Sequence, residues 1–157
     1  MSDQATVSAS LQDIHDIRML KHRYAALADV CCSPDGAKPA VELAALFTDD
    51  GVWEAPAEHG GRHVGRQAIA AFFAGLGKSV TWGSHLMTND QIALAGDNAT
   101  GAWKNIVPMT ALVDGKPTAF WIFGGYRDVY VKKGGRWLFK ELNAYVDRVA
   151  RHDQGWA

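Results

Sequence analysis

The chain has 157 residues, 48% of them hydrophobic and 21% charged, with 16 Lys and Arg against 17 Asp and Glu and a formal net charge of -1. Such a length and composition describe one globular domain spanning residues 1–157, large enough to enclose a cavity, and exclude disordered and collagen-like chains. Without a long like-charged block the balance leaves no electrostatic footprint for nucleic acid or an anionic lipid surface, so neither is an expected partner.

Leu11, Ile14, Ile17, Leu20, Tyr24, Leu27 and Cys31 recur at three- and four-residue intervals, which predicts an amphipathic helix over about residues 8–32, with Asp13, Asp16, Lys21 and Arg23 mostly away from the apolar stripe. Cys31 and Cys32 are adjacent, point apart in a helix, and read as unpaired small apolar residues in a reducing compartment. The acidic N-terminal segment is not a signal peptide and no run approaches 18 apolar residues, so a cytoplasmic location is expected. The turn at residues 33–36 precedes a short second helix over 39–47, and a strand begins near Gly51. Ile69, Phe72, Phe73 and Leu76 form a third helical stripe, with Gly77 placed to end it.

Beyond residue 77 the period changes. Turn signals at 96–98, 114–115 and 133–135 divide the remainder into four β segments of about fifteen residues, an antiparallel meander. Strands that long imply a strongly coiled sheet bent at bulges, for which Pro108 and Gly124-Gly125 are candidates. The predicted fold class is α+β: a cone-shaped, strongly curved antiparallel sheet with three helices over its concave face, ordered over about 8–149 with a tail at 150–157.

His85 lies on the first long strand, and histidine suits both taking and giving a proton near neutrality, which makes it the acid/base candidate. Asp29, near the end of the first helix among Ala, Val and Cys, reads either as a buried orienting carboxylate or as an exposed last-turn residue bonding the next loop. Tyr24 reads as core, or as a phenol at a cavity wall. His15, His22 and His152 are weaker candidates; His59 and His63 have the spacing of a helical metal pair, but Gly60-Gly61 argues against a helix there, so no metal is expected. No phosphate loop, dinucleotide fingerprint or nucleophile elbow occurs, and no cofactor is expected. Strand alternation groups Trp103 with Asn105 and Val107, Trp121 with Phe123, and Trp137 with Phe139, Glu141, Asn143 and Tyr145, sets suited to a pocket for a flat apolar ligand. Trp53, Trp103 and Trp121 are candidate pocket walls; Trp82 and Trp137 read as packing, and Trp156 has no account. A one-residue bulge would invert these sets.

The segments IRMLKHRYAALAD (17–29), LFTDDGVWEAP (46–56), GRHVGRQAIAAFFAGL (61–76), SHLMTNDQIALAGDNATGAW (84–103) and RWLFKELNAYVDR (136–148) resemble, in order and spacing, the SnoaL-like branch of the nuclear transport factor 2 superfamily, which includes scytalone dehydratase and the bile acid dehydratases. The resemblance implies the cystatin-like cone, assembly as a homodimer or homotrimer, and a His–Asp pair with a nearby Tyr, matched here by His85, Asp29 and Tyr24. It departs from scytalone dehydratase in lacking a second pocket His on a later strand. The implied function is a cofactor-independent lyase or dehydratase acting on a hydrophobic, aromatic or polycyclic, hydroxylated small molecule, with Trp53, Trp103, Asn105, Trp121, Phe123, Asn143 and Tyr145 as substrate-binding candidates. The alternatives are a non-catalytic binding module or structural subunit of the same fold, and a polyketide cyclase or isomerase.

Overall fold

The computed structural model describes residues 2–33 and 37–153, so Trp156 lies outside the described residues. Helix α1 runs from Ser2 to Cys31. It starts earlier than the apolar stripe predicts because the whole stretch lacks Gly and Pro. Helix α2, Ala37–Ala44, carries Pro39 in its first turn, where a missing N–H costs nothing, and ends earlier than expected because Phe47 opens strand β1 (Phe47–Glu54). A single 3₁₀ turn at Ala57–His59 leads to β2 (Arg62–Val64) and α3 (Arg66–Leu76).

The four long segments predicted after residue 77 become five strands: β3 (Val80–Gly83), β4 (Leu86–Ala95), β5 (Asn98–Val113), β6 (Lys116–Lys133) and β7 (Arg136–Arg151). The first segment is broken at Ser84-His85, so His85 sits in the break and not within a long strand. The sheet order is β2-β1-β7-β6-β5-β3, with β4 also paired to β5. The sheet is mixed: the meander is antiparallel as expected, but β1 pairs with β7 in parallel.

Bulges bend it. One lies at Phe123/Gly124, beside the predicted Gly pair, and another at Val129/Tyr130, which the sequence did not signal. Pro108 is not a bulge: it pairs in register with Trp121, and its carbonyl accepts the Ser84 N–H where the partner of β5 changes from β4 to β3. The three helices lie against the inner face, enclosing a core of Ile17, Tyr24, Ala28, Leu43, Phe47, Ile69, Phe73, Tyr130, Phe139 and Leu142. No helix among the described residues is long and apolar enough to cross a membrane.

Lys21 contradicts the predicted polar face of α1. Its side chain is fully buried and paired with Asp128 of β6 at 2.8 Å.

Candidate active site

Between the helices and the concave face lies a cavity of about 460 Å³. Its walls are mostly apolar, supplied by α3 (Phe72, Phe73, Leu76), β5 (Val107, Met109) and β6 (Phe120, Ile122). The polar residues along it are His85, Tyr24, Tyr126, Tyr145, Asn105, Ser79 and, near the 3₁₀ turn, Glu58 and His59. Among the described residues neither Lys nor Arg lines it.

Asp29 stands at the last turn of α1, and the chain break between β3 and β4 brings His85 directly over it. One carboxylate oxygen of Asp29 accepts both the His85 backbone N–H, at 2.8 Å, and the imidazole Nδ1, at 2.7 Å. A carboxylate oxygen that accepts from Nδ1 needs the proton on Nδ1, and in the neutral imidazole that arrangement leaves the lone pair on Nε2. His85 is part of the cavity wall, with its side chain 16% exposed, so Nε2 is the nitrogen a ligand meets. The two anchors to one oxygen fix both the ring's orientation and its tautomer. Asp29 is neither fully buried nor free in solvent: its side chain is 31% exposed and bonds His85 in the break between β3 and β4.

Tyr24 and Trp53 also border the cavity, and they engage each other: the Trp53 indole N–H donates to the Tyr24 oxygen at 2.8 Å. Tyr24 packs edge to face against Tyr126, whose oxygen accepts from Asn105 Nδ2 at 3.4 Å. Burial first, and then the neighbouring Tyr126, pushes the Tyr24 phenol well above its ordinary pKa; burial followed by the charge of Asp128 does the same to Tyr126. Both remain protonated at physiological pH.

The other predicted binding residues are placed differently. Trp103 faces inward but is packed in the core, donating to Tyr130 Oη at 2.9 Å. Trp121 and Phe123 stand opposite Pro108 and Ile106 on the convex face, where the Trp121 N–H meets His152 Nδ1 at 3.0 Å. In β6 it is the even-numbered side chains, Phe120, Ile122 and Tyr126, that face inward. In β7 the bulge leaves Lys140 unpaired, because Phe139 pairs with Tyr130 and Glu141 with Val129. Inward alternation therefore passes from Trp137 and Phe139 to Leu142 and Ala144, carrying Asn143 to the other face, where it donates to the Arg127 carbonyl at 3.1 Å. Tyr145 borders the cavity, but its ring lies over Gly125 with Lys104 and Arg127 near its face.

Cys32 also lines the cavity; burial, then Asp29, pushes its thiol up to about 12, so it is a packing group and not a nucleophile. His63 is stacked on Phe72 and bonded to the Gly60 carbonyl at 2.9 Å. Among the described residues no group of three or more His, Cys, Asp or Glu side chains could hold a metal ion.

Sequence reasoning overlooked Tyr126, Lys21 and Asp128. Lys21 and Asp128 share a fully buried ion pair, Tyr130 donates to the same Asp128 oxygen at 2.8 Å, and the Lys21 ammonium lies 3.5 Å from the centroid of the Tyr126 ring. A signal existed. Tyr126, Asp128 and Tyr130 sit at strand spacing on one face, and a carboxylate between two phenols in such a row marks a buried polar network.

A family model described as the SnoaL-like domain matches residues 9–143. A comparison with curated proteins finds no match. Among solved structures, a protein of unknown function from Mycobacterium tuberculosis is 25% identical, with a TM-score of 0.72 over 90% of this chain and 76% of that one. A protein from Novosphingobium aromaticivorans, provisionally assigned as a scytalone dehydratase, is 22% identical with a TM-score of 0.76, covering 96% of this chain and 95% of that one. A hexachlorocyclohexane dehydrochlorinase from Novosphingobium barchaimii is 17% identical with a TM-score of 0.77, covering 90% and 91%. At these last two identities the likeness is one of fold.

Proposed function

The chain belongs to the SnoaL-like domain family, and from that premise we propose that it is a cofactor-independent lyase of the dehydratase type acting on a hydrophobic, hydroxylated, aromatic or polycyclic small molecule. The observation that carries this reading is the doubly anchored His85, whose Nδ1 is held by Asp29 while Nε2 faces an apolar cavity. Nε2 removes a proton from a carbon beside an activating carbonyl or phenol. The neighbouring C–O bond breaks, and the imidazolium returns the proton to the departing oxygen, which leaves as water. Substrate carbon gains a double bond, and nothing is oxidised or reduced overall. Asp29 stabilises the imidazolium, and the phenols Tyr24 and Tyr126 form the polar edge against which the departing oxygen sits.

Two features support the reading: the dehydratase-type proteins that share the fold, and a cavity that is open and apolar instead of filled by Trp and Phe. Self-association as a dimer or trimer, in a cytoplasmic setting, belongs to the same proposal. Replacement of His85 by Ala is expected to lower turnover of a responsive hydroxylated substrate by about a hundred to ten thousand fold while leaving its binding largely intact. Near-normal turnover in that variant rejects the acid/base role and favours a ligand-binding module.

A further inference from the structure

Tyr24, Tyr126 and Asn105 bring polar atoms to the cavity wall. The Tyr24 oxygen accepts the Trp53 indole N–H, and the Tyr24 ring packs edge to face on the Tyr126 ring. The Tyr126 oxygen accepts from Asn105 Nδ2 at 3.4 Å. With the Asn105 amide donating to its oxygen, Tyr126 keeps its own proton to donate elsewhere, and its ring borders the cavity. The Lys21 ammonium lies 3.5 Å from the ring centroid, a cation–π contact that helps hold the ring in place.

Asn105 completes the arrangement. The residue is 8% exposed and lines the cavity, and its amide nitrogen is used on Tyr126, yet its Oδ1 is buried without a hydrogen-bond partner. A buried amide oxygen left unpaired is costly, so such an atom at a cavity wall marks a place where a ligand donor belongs.

We propose that Tyr126 Oη and Asn105 Oδ1 form a hydroxyl-recognition subsite, the phenol donating to a ligand oxygen and the amide oxygen accepting that oxygen's proton. A donor beside an acceptor matches an alcohol or phenol, which offers both, and not a ketone, ether or carboxylate, which offer only acceptors. Among the described residues no Lys or Arg lines the cavity wall, which fits an uncharged ligand. Tyr24, packed edge to face on the Tyr126 ring, helps hold that ring at the subsite. This assignment rests on the dehydratase reading for its use in catalysis, but binding tests it alone.

The test measures binding of 2-tetralol and 2-tetralone, bicyclic compounds differing only in hydroxyl against carbonyl, by titration calorimetry. The wild-type protein is expected to bind the alcohol about ten-fold more tightly, since the ketone leaves Asn105 Oδ1 unpaired. Asn105→Leu is expected to bring the ratio to about one with ketone binding unchanged. Tyr126→Phe weakens both ligands alike, whereas a merely structural role for Asn105 would weaken both and leave the ratio in place. Equal binding of the two compounds to the wild type overturns the subsite, and that comparison needs no variant to fold. Affinity for both compounds that is unchanged in Tyr126→Phe but falls in Tyr24→Phe also overturns it, making Tyr24 the donor. Turnover by His85→Ala reports separately on the acid/base reading, so either proposal can fail while the other stands.

Discussion

The Lys21–Asp128 pair shows how one residue can tie a helix to a distant strand. Both side chains are fully buried, so each charge has lost its hydration and depends on the other; Asp128 has a second partner in Tyr130, while its Oδ1 has none. Burial drives the Lys21 pKa down to about 8 despite the opposing pull of Asp128, and burial raises that of Asp128 despite Lys21. Breaking the pair on one side strands a buried charge, so Lys21→Met or Asp128→Leu is each expected to lower unfolding stability by about 3–5 kcal/mol. The double variant should be more stable than either single one, as measured by urea unfolding. The pH dependence follows from linkage. Unfolded Lys21 titrates at its ordinary 10.5 and folded Lys21 at about 8, so between these values the unfolded state binds more protons and stability rises with pH. Wild-type stability relative to the double variant is therefore expected to increase from pH 8 to pH 10, and a decrease would contradict a lowered Lys21 pKa.

At the scale of elements, the bulges decide which side chains meet the ligand. The alternation of β7 is regular in sequence, yet the unpaired Lys140 moves the inward set from Phe139 to Leu142. The Gly124-Gly125 pair permits the bend because neighbouring backbone occupies the space of a side chain: a Cβ on Gly124 would lie 2.1 Å from the Tyr145 carbonyl oxygen. Backbone of an adjacent strand cannot move aside as a flexible side chain would. Gly124→Ala is accordingly expected to cost about 3 kcal/mol of stability. Gly75 makes the contrasting case, since a Cβ there meets nothing within 4 Å inside α3. Gly75→Ala should stabilise by about 0.5–1 kcal/mol, and thermal melts of the two variants check both directions.

For the whole molecule, the same alternation that moves Trp121 and Phe123 out of the cavity leaves an apolar convex face. Leu86 stands opposite Ile106 and Ile106 opposite Phe123, Trp82 stands opposite Thr110 further along β5, and Leu86 and Trp82 are both more than half exposed. Large exposed apolar groups in adjoining rows are a surface that association would cover. The proposed dimer or trimer is expected in sedimentation velocity at micromolar concentration, and replacement of both Trp82 and Leu86 by Lys should shift it toward monomer. A wild-type protein that sediments as a monomer throughout would reject self-association.

The amino-acid sequence by itself determined the helices, the long coiled strands and the cone, because hydrophobic period and turn chemistry act locally and recur along the chain. Residue type pointed to His85 alone; Asp29 and Tyr24 read locally as surface or core residues as readily, and joined it through the family resemblance. Only the tertiary structure decided which side chains share the cavity. Facing depends on bulges, and a bulge is set by the partner strand: nothing within β7 alone marks Lys140 as the unpaired residue. The fate of Lys21 was equally hidden, since a Lys on a helix reads as solvent-facing until a carboxylate 107 residues away is folded against it. Residues whose role depends on a distant partner become legible only when the fold brings that partner to them.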